Sequence, residues 1–293
     1  MRIVAAGAGG FIGGHLVASL RAAGHRVVTL VRRPPRSGDE FAWDPHGGLL
    51  PSVALDGADA VINLCGAGVG DRRWTERRKQ VLRSSRLDPT GVLARACATR
   101  RIPVLLNASA VGYYGDRGDE VLTERSGPGD GFLAELCTEW EAATAPAADA
   151  GVRVVLLRTG LALGSDGGML PRLVALGRLL AGGRLGSGRQ YWPWISIADH
   201  VAATEFLCRT PVQGPVNLTA PNPVSNAQFT AALAEVLQRP APWVVPGFAL
   251  RAALGGFAGE VLGGQRAIPQ VLTGTGFRFL QPELTTALRT AVG

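Results

Sequence analysis

The chain has 293 residues, 46% hydrophobic and 18% charged, a balance that excludes disorder and supports one large globular core or two smaller ones. The formal net charge is +7, but every basic residue except Lys79 is arginine and they are spread along the chain, which argues against a nucleic-acid surface. No uncharged apolar run reaches the ~20 residues that span a bilayer. The four cysteines, Cys65, Cys97, Cys137 and Cys208, lack zinc or redox spacing.

The first third alternates strand and helix. Ile3 to Ala6 is a short apolar run ending in glycines and predicts a buried parallel strand. Phe11 to Ala23 predicts a helix closed by Gly24, and Arg26 to Val31 a second strand. The small-residue stretch after Arg2 imitates an export signal, but the glycines at 7, 10 and 13 and the strand that follows mark it as fold, so the cytoplasm is the expected compartment. Further strands are expected at 59–64, 104–108, 152–157 and 216–219. Helices are expected at 74–100 (with a break at Asp88-Pro89 left open), 131–148 and 198–209. Strands joined by helices imply an α/β fold with a parallel sheet and right-handed crossovers.

After Arg158 the texture changes to glycine-rich loops around a helix at 170–180, a capped helix at 225–237 and a helical tail from about Pro246. The expected organisation is a doubly wound domain over 1–160, completed by a strand near 215–220. A smaller, mostly helical lobe over 161–293 would pack on it.

Gly7-x-x-Gly10-x-x-Gly13 lies between a strand and a helix inside a complete strand-helix-strand unit, the fingerprint of a Rossmann dinucleotide site. The first glycine permits the turn, the second lets the backbone approach a pyrophosphate, and the third allows close helix–strand packing. The helix N-terminus, starting at Phe11 and Ile12, offers N–H groups to phosphate. The second strand ends in Arg32 and Arg33 with no acid before Asp39, which favours the 2′-phosphate of NADP(H) over the free hydroxyl of NAD.

Longer runs carry a resemblance. They include Gly-Gly-Phe-Ile-Gly (9–13), Trp43-Asp44-Pro45, Asn63-Leu64-Cys65-Gly66-Ala67-Gly68, Arg73-Trp74-Thr75 with Ser85-Arg86, and Ala108-Ser109-Ala110-Val111-Gly112-Tyr113-Tyr114-Gly115. Asp130-Gly131-Phe132-Leu133, Arg158-Thr159-Gly160, Pro193-Trp194-Ile195 and Gly263-Gly264-Gln265-Arg266 follow. Over its whole length the chain resembles the atypical short-chain dehydrogenases of the extended, epimerase-like type, nearest the SulA-like or YfcH-like epimerase family proteins. The resemblance implies NADP(H), with Arg32 at the 2′-phosphate, Asn63, Leu64, Cys65 and Gly66 lining the cofactor, Arg86 reaching it from the side, and Leu161 bordering the nicotinamide. The run Ile195-Ser196-Ile197-Ala198-Asp199 departs from the usual Ile-His-Ile-Asp-Asp.

The chemistry is less plain than the cofactor. Many enzymes of this fold move protons with a Tyr-x-x-x-Lys pair, and none of Tyr113, Tyr114 and Tyr191 is followed by lysine at that distance. Ser109, at a strand end, and Tyr113 or Tyr114, just beyond it, are the candidates to orient a reacting oxygen; Ser109 could equally be satisfied by local backbone. A tyrosine base needs a neighbouring cation, and the nearest by count is Arg117, in a loop. Phe132 and Leu136 are expected where the pair would stand, while Glu135, Glu139 and Glu141 read as a solvated helix face. His15, His25, His46 and His200 show no metal spacing. His200 keeps a small functional weight from its place after Asp199.

The expected protein is an NADP(H)-dependent oxidoreductase or epimerase- or dehydratase-like enzyme acting on a small hydroxyl- or carbonyl-bearing molecule. It is expected to be a monomer or homodimer, with no metal, nucleic acid or membrane partner. The alternatives are a non-redox isomerisation or cyclisation, or a non-catalytic NADP(H) sensor.

Overall fold

A computed structural model describes the whole chain, Met1 to Gly293. In chain order the first half contains β1 (Arg2–Ala6), α1 (Phe11–Ala22), β2 (Arg26–Val31), β3 (Glu40–Ala42), β4 (Ala60–Asn63), α2 (Glu76–Arg100), β5 (Val104–Ala110), β6 (Val121–Leu122), α3 (Phe132–Ala142), α4 (Ala145–Asp149) and β7 (Arg153–Thr159). The second half contains β8 (Leu161–Leu163), α5 (Leu170–Arg178), β9 (Gly183–Leu185), β10 (Tyr191–Trp192), β11 (Trp194–Ser196), α6 (Ile197–Arg209), β12 (Gly214–Leu218), β13 (Val224–Ser225) and α7 (Asn226–Leu237). It closes with β14 (Trp243–Val245), α8 (Gly247–Leu254), α9 (Phe257–Leu262), β15 (Arg266–Ala267), α10 (Gln270–Gly274) and α11 (Leu284–Val292).

Seven strands form one parallel sheet in the order β12-β7-β5-β4-β1-β2-β3. Its strands are apolar on both faces because helices cover both. Ile3 and Ala5 face one core with Leu16, Val17 and Val201, on the α1 and α6 side. Val4 and Ala6 face the other with Leu93, Cys97 and Ala147, on the α2 and α4 side. From β1 the order runs to β2 on one side and to β4 on the other, so a crevice opens at the carboxyl ends of β1 and β4, where dinucleotides bind in such sheets.

The structure differs from the sequence reading in several places. The sheet has a seventh strand, β3, a three-residue edge that carries no strand-like alternation. Helix α2 runs unbroken through Pro89, at the cost of one backbone hydrogen bond. The helix expected over 131–148 divides, with the Thr144 hydroxyl bonding the Glu141 carbonyl and Pro146 in the first turn of α4. The helix expected at 225–237 is present as α7, closed by a reciprocal Ser225–Gln228 capping box.

Beyond β7 the helices pack around a third core of Trp192, Trp194, Phe229, Leu233 and Leu288. Its strands pair only two by two. The tail returns to the sheet: β15 pairs with β6, the Gln265 side chain donates to the Gly115 carbonyl, and Glu124 accepts from the Asn217 and Val271 backbones.

Candidate active site

At the nucleotide end the glycines are required by close approach. Gly7 has φ +83, and a Cβ there would stand 2.6 Å from the Leu64 carbonyl; a Cβ on Gly13 would run into the Gly7 carbonyl. Gly9 has nothing within 4 Å, so space is open above the loop. No side chain caps α1, which leaves its N-terminus free for a phosphate. Phe11, the first residue of α1, is wrapped by Gly164 and Gly167, each too close to its ring for a side chain.

The two arginines after β2 have different fates. Arg33 is paired with Glu40 through two bonds of 2.8 and 2.6 Å and donates to the Pro34 carbonyl, so its charge already has a counter-ion. Arg32 is exposed, forms no ion pair, and its charge bears on the Cys65 thiol, beside the loop after β4. Burial nevertheless pushes that thiol up to about 12.

Asn63 is fully buried and does not line the cleft as expected. Its amide donates to Thr90 Oγ1 at 2.9 Å and Asn107 Oδ1 at 2.7 Å, while its carbonyl oxygen accepts from the Cys65 backbone. It therefore sets the path of the 64–66 loop. Leu64 and Cys65 are half-buried along that path, and Gly66 packs over the Arg86 guanidinium.

Arg86 is 9% exposed and has no carboxylate partner. It donates to the Ala67 and Leu82 carbonyls and lies 5.1 Å over the Trp140 ring. Burial, with a smaller contribution from Arg78, draws it down to about 10. An uncompensated buried cation against the cofactor loop fits an anionic ligand. The residues present thus suit a dinucleotide: an uncapped helix terminus, a glycine loop with open space, and two guanidiniums without counter-charges.

The reacting end is built differently. Ser109 Oγ donates to Glu141 Oε1 at 2.6 Å, so its hydroxyl is held by a side chain and not by local backbone. Glu141 is no solvated face residue: it takes a two-pronged ion pair from Arg158, both bonds 2.8 Å. Burial opposes the Arg158 charge, yet the bonds to Glu141 outweigh it and raise the guanidinium above its ordinary range. Arg158 also donates to Tyr114 Oη, which donates in turn to Asn217. Tyr114 is fully buried and its phenol is spoken for, whereas Tyr113 is half-buried. The Tyr113 ring lies 3.5 Å from the Arg158 guanidinium, whereas Arg117 is paired with Glu120. The sequence pointed to neither Arg158 nor Glu141 as site residues; their partners lie far along the chain.

The face of α3 that meets the end of β5 carries Leu133, Cys137 and Glu141: Leu133 packs on Gly112, Cys137 accepts from the Ala110 backbone, and Glu141 holds Ser109. Phe132 and Leu136 face α2, with Trp74 and Leu82, so the expected helix phase is off by one residue. The conclusion that no Tyr–Lys pair stands here is unchanged. Ser196 is the N-cap of α6: its Oγ accepts from the Asp199 N–H and donates to Asp199 Oδ2. His200 is buried against Thr159 at 3.1 Å, and burial holds it neutral, down at about 4. Leu161, half-buried, is fixed by a 2.7 Å bond from its N–H to the Pro193 carbonyl.

A family model described as the NAD dependent epimerase/dehydratase family matches residues 3–219. The chain belongs to that family. A domain of unknown function (DUF1731) matches residues 245–291. The chain is 49% identical over 288 residues to an epimerase family protein of Mycobacterium bovis, covering 98% of this chain and 96% of that one. It is 36% identical to the epimerase family protein YfhF of Bacillus subtilis, covering 98% and 97%. Among solved structures, human epimerase family protein SDR39U1 with NADPH superposes with a TM-score of 0.91 at 32% identity, covering 100% and 99%. A nucleoside-diphosphate sugar epimerase of Corynebacterium glutamicum gives 0.82 at 38% identity, covering all of this chain and 58% of that one. The Thermus thermophilus UDP-glucose 4-epimerase, at 20% identity and 0.79, shares the fold.

Proposed function

We propose that this family member binds NADP(H) and uses it on a small hydroxyl- or carbonyl-bearing molecule, as an oxidoreductase or as an epimerase- or dehydratase-like enzyme. The observation that carries the reading is the unpaired Arg32 at the end of β2, where an acid would repel a 2′-phosphate. The human relative solved with NADPH supports it. Gly7, Gly10 and Gly13 with the first turn of α1 would hold the pyrophosphate, Leu64, Cys65 and Gly66 would follow its edge, and Arg86 would meet its charge. Leu161 would border the nicotinamide, which when bound supplies or accepts hydride. Residues 161–293 would form the lobe that closes on the substrate, and four free thiols suit the cytoplasm.

Tyr113 would orient the reacting oxygen, steadied from beneath by Arg158, with Glu141 and Ser109 fixing that guanidinium. Tyr114 would act through the same network and not on the substrate. A second reading, a non-catalytic NADP(H) sensor, is favoured by one feature: Leu133 and Cys137 stand on α3 where a proton-transferring pair would be useful.

NADPH oxidation across a panel of carbonyl compounds separates the two. The enzyme reading predicts turnover that Tyr113→Phe lowers by about ten- to a hundredfold, the scale of a lost positioning or acid–base contact. Binding of NADPH without turnover of any compound would favour the sensor.

A further inference from the structure

We propose that Arg266, on β15, holds a carboxylate of the substrate, so that the hydroxyl- or carbonyl-bearing molecule is a small organic acid. The proposal rests on the NADP(H)-dependent reading above and names the class of molecule that the same site takes.

Arg266 closes the Gly263-Gly264-Gln265-Arg266 run and is half-buried. Its Nε is buried without a hydrogen-bond partner. Every other arginine that is not exposed donates at least one hydrogen bond, to a carbonyl or to a carboxylate. What Arg266 touches is the ring of Tyr191, 5.1 Å from its centroid. Stacking engages the flat face of a guanidinium and leaves its in-plane N–H donors without acceptors. Packing on Tyr191 therefore accounts for the stem and the charge, but not for the buried donor. A buried donor left unpaired is costly, and its presence here implies an acceptor that arrives from outside the chain.

The carboxylates of the neighbouring segments are already engaged. Asp116 accepts from the Gly118 and Gly264 N–H groups, and Glu124 from the Asn217 and Val271 backbones.

Contacts on both sides tie β15 to the reacting end. Ala267, next to Arg266, packs with Tyr114 and Leu122, and Tyr113 packs on that cluster. Gln265, on the other side, donates its amide to the Gly115 carbonyl, directly after Tyr114, and its backbone N–H to the Tyr191 carbonyl. Gly264 permits this approach, since a Cβ there would stand 2.8 Å from the Tyr191 nitrogen. Two residues after Tyr191, the Pro193 carbonyl holds the Leu161 N–H. The Arg266–Tyr191 pair is thus linked within a few residues to Tyr113, which would orient the reacting oxygen, and to Leu161, which would border the nicotinamide.

The free edge of one guanidinium matches a planar carboxylate through two parallel bonds. A phosphate carries more charge and is better served by several cations, whereas Tyr191 carries this one.

The test loads the protein with NADPH or with NADP+, so that Arg32 and Arg86 are occupied. The Arg266 Nε–H signal is followed by nitrogen-15 NMR and assigned by its loss in Arg266→Gln and in Arg266→Lys. Acetate should move it saturably. Acetamide, of the same shape without the charge, should not, and inorganic phosphate should bind more weakly than acetate. The Tyr191 ring signals should follow acetate in the unsubstituted protein and cease to follow it in Arg266→Gln. The oxidised ring is positively charged and the reduced ring is not, so acetate should bind at least about twofold tighter with NADP+ than with NADPH. No movement with acetate, equal movement with acetamide, or tighter binding of phosphate overturns the carboxylate assignment. Equal acetate affinities in the two loaded forms overturn its place beside the nicotinamide. If neither nucleotide binds, the cofactor reading fails and takes the substrate assignment with it, while acetate titration of the free protein still reports whether Arg266 holds a carboxylate.

Discussion

The two ends of the cleft treat positive charge in opposite ways. At the nucleotide end Arg32 and Arg86 have no carboxylate partners, although Arg86 is almost wholly buried. At the reacting end Arg158 is equally buried but is saturated by Glu141, Tyr114 and the Tyr113 ring. Charge left open attracts an anion, and the folded protein bears that cost until the ligand arrives. Charge that is neutralised holds neighbouring groups in place and offers nothing to a ligand. Under the proposed function, one end would bind and the other would position.

The largest expected effect comes from breaking the paired end. Glu141→Gln leaves Arg158 buried against a neutral partner and should destabilise the fold by about 3–5 kcal/mol, read by denaturant unfolding. A change below about 1 kcal/mol would show that the pair is not a structural keystone.

The open end should behave in reverse. Arg86→Met removes a buried cation that has no carboxylate partner, so the apo protein should lose no more than about 1 kcal/mol while NADPH binding weakens about tenfold or more. A large loss of stability with unchanged affinity would make Arg86 a structural residue.

The glycine end was legible in the sequence because its parts are local. Gly7, Gly10, Gly13 and the end of β2 lie within about thirty residues of each other, and their spacing maps onto one turn and one helix start. Even there, adjacent arginines could not be told apart, since Glu40, on the short strand β3, decides that Arg33 is occupied. The reacting end was mostly illegible. Ser109, Glu141, Arg158 and Asn217 meet only after four elements have packed, and no local pattern announces them. The phase of α3 was equally hidden, because Phe132, Leu133, Leu136, Cys137 and Trp140 are all apolar and two helix faces fit the pattern equally well.

A subtler effect is a pH dependence carried by two opposed groups. Glu260 titrates at about 7, above the ordinary value of 4.5, so the folded state holds its proton longer than the unfolded one. Its contribution is present at acid pH and is lost as the pH rises toward 7. His200 titrates at about 4, below 6.5, so its contribution is present above 6.5 and is lost as the pH falls toward 4. Across the shared window the two slopes oppose each other. Glu260→Gln should therefore make stability climb more steeply with pH between those limits, as read from unfolding curves at several pH values. An unchanged profile would place the Glu260 carboxyl in solvent.

The smallest effect belongs to the exposed pairs. Removing Glu235, which meets Arg289 at 3.1 Å on the surface, should cost no more than about 0.5 kcal/mol. A larger cost would blur the distinction between open and saturated charge.

The most direct test of that distinction is calorimetric titration of the protein with NADPH and with NADH, repeated on Arg32→Ala. The open-charge account predicts tighter binding of NADPH, with the substitution weakening NADPH by about ten- to a hundredfold and leaving NADH nearly unchanged, the scale of a lost charge-assisted phosphate contact. Equal affinities for the two nucleotides, or an equal loss of both in the variant, would contradict it.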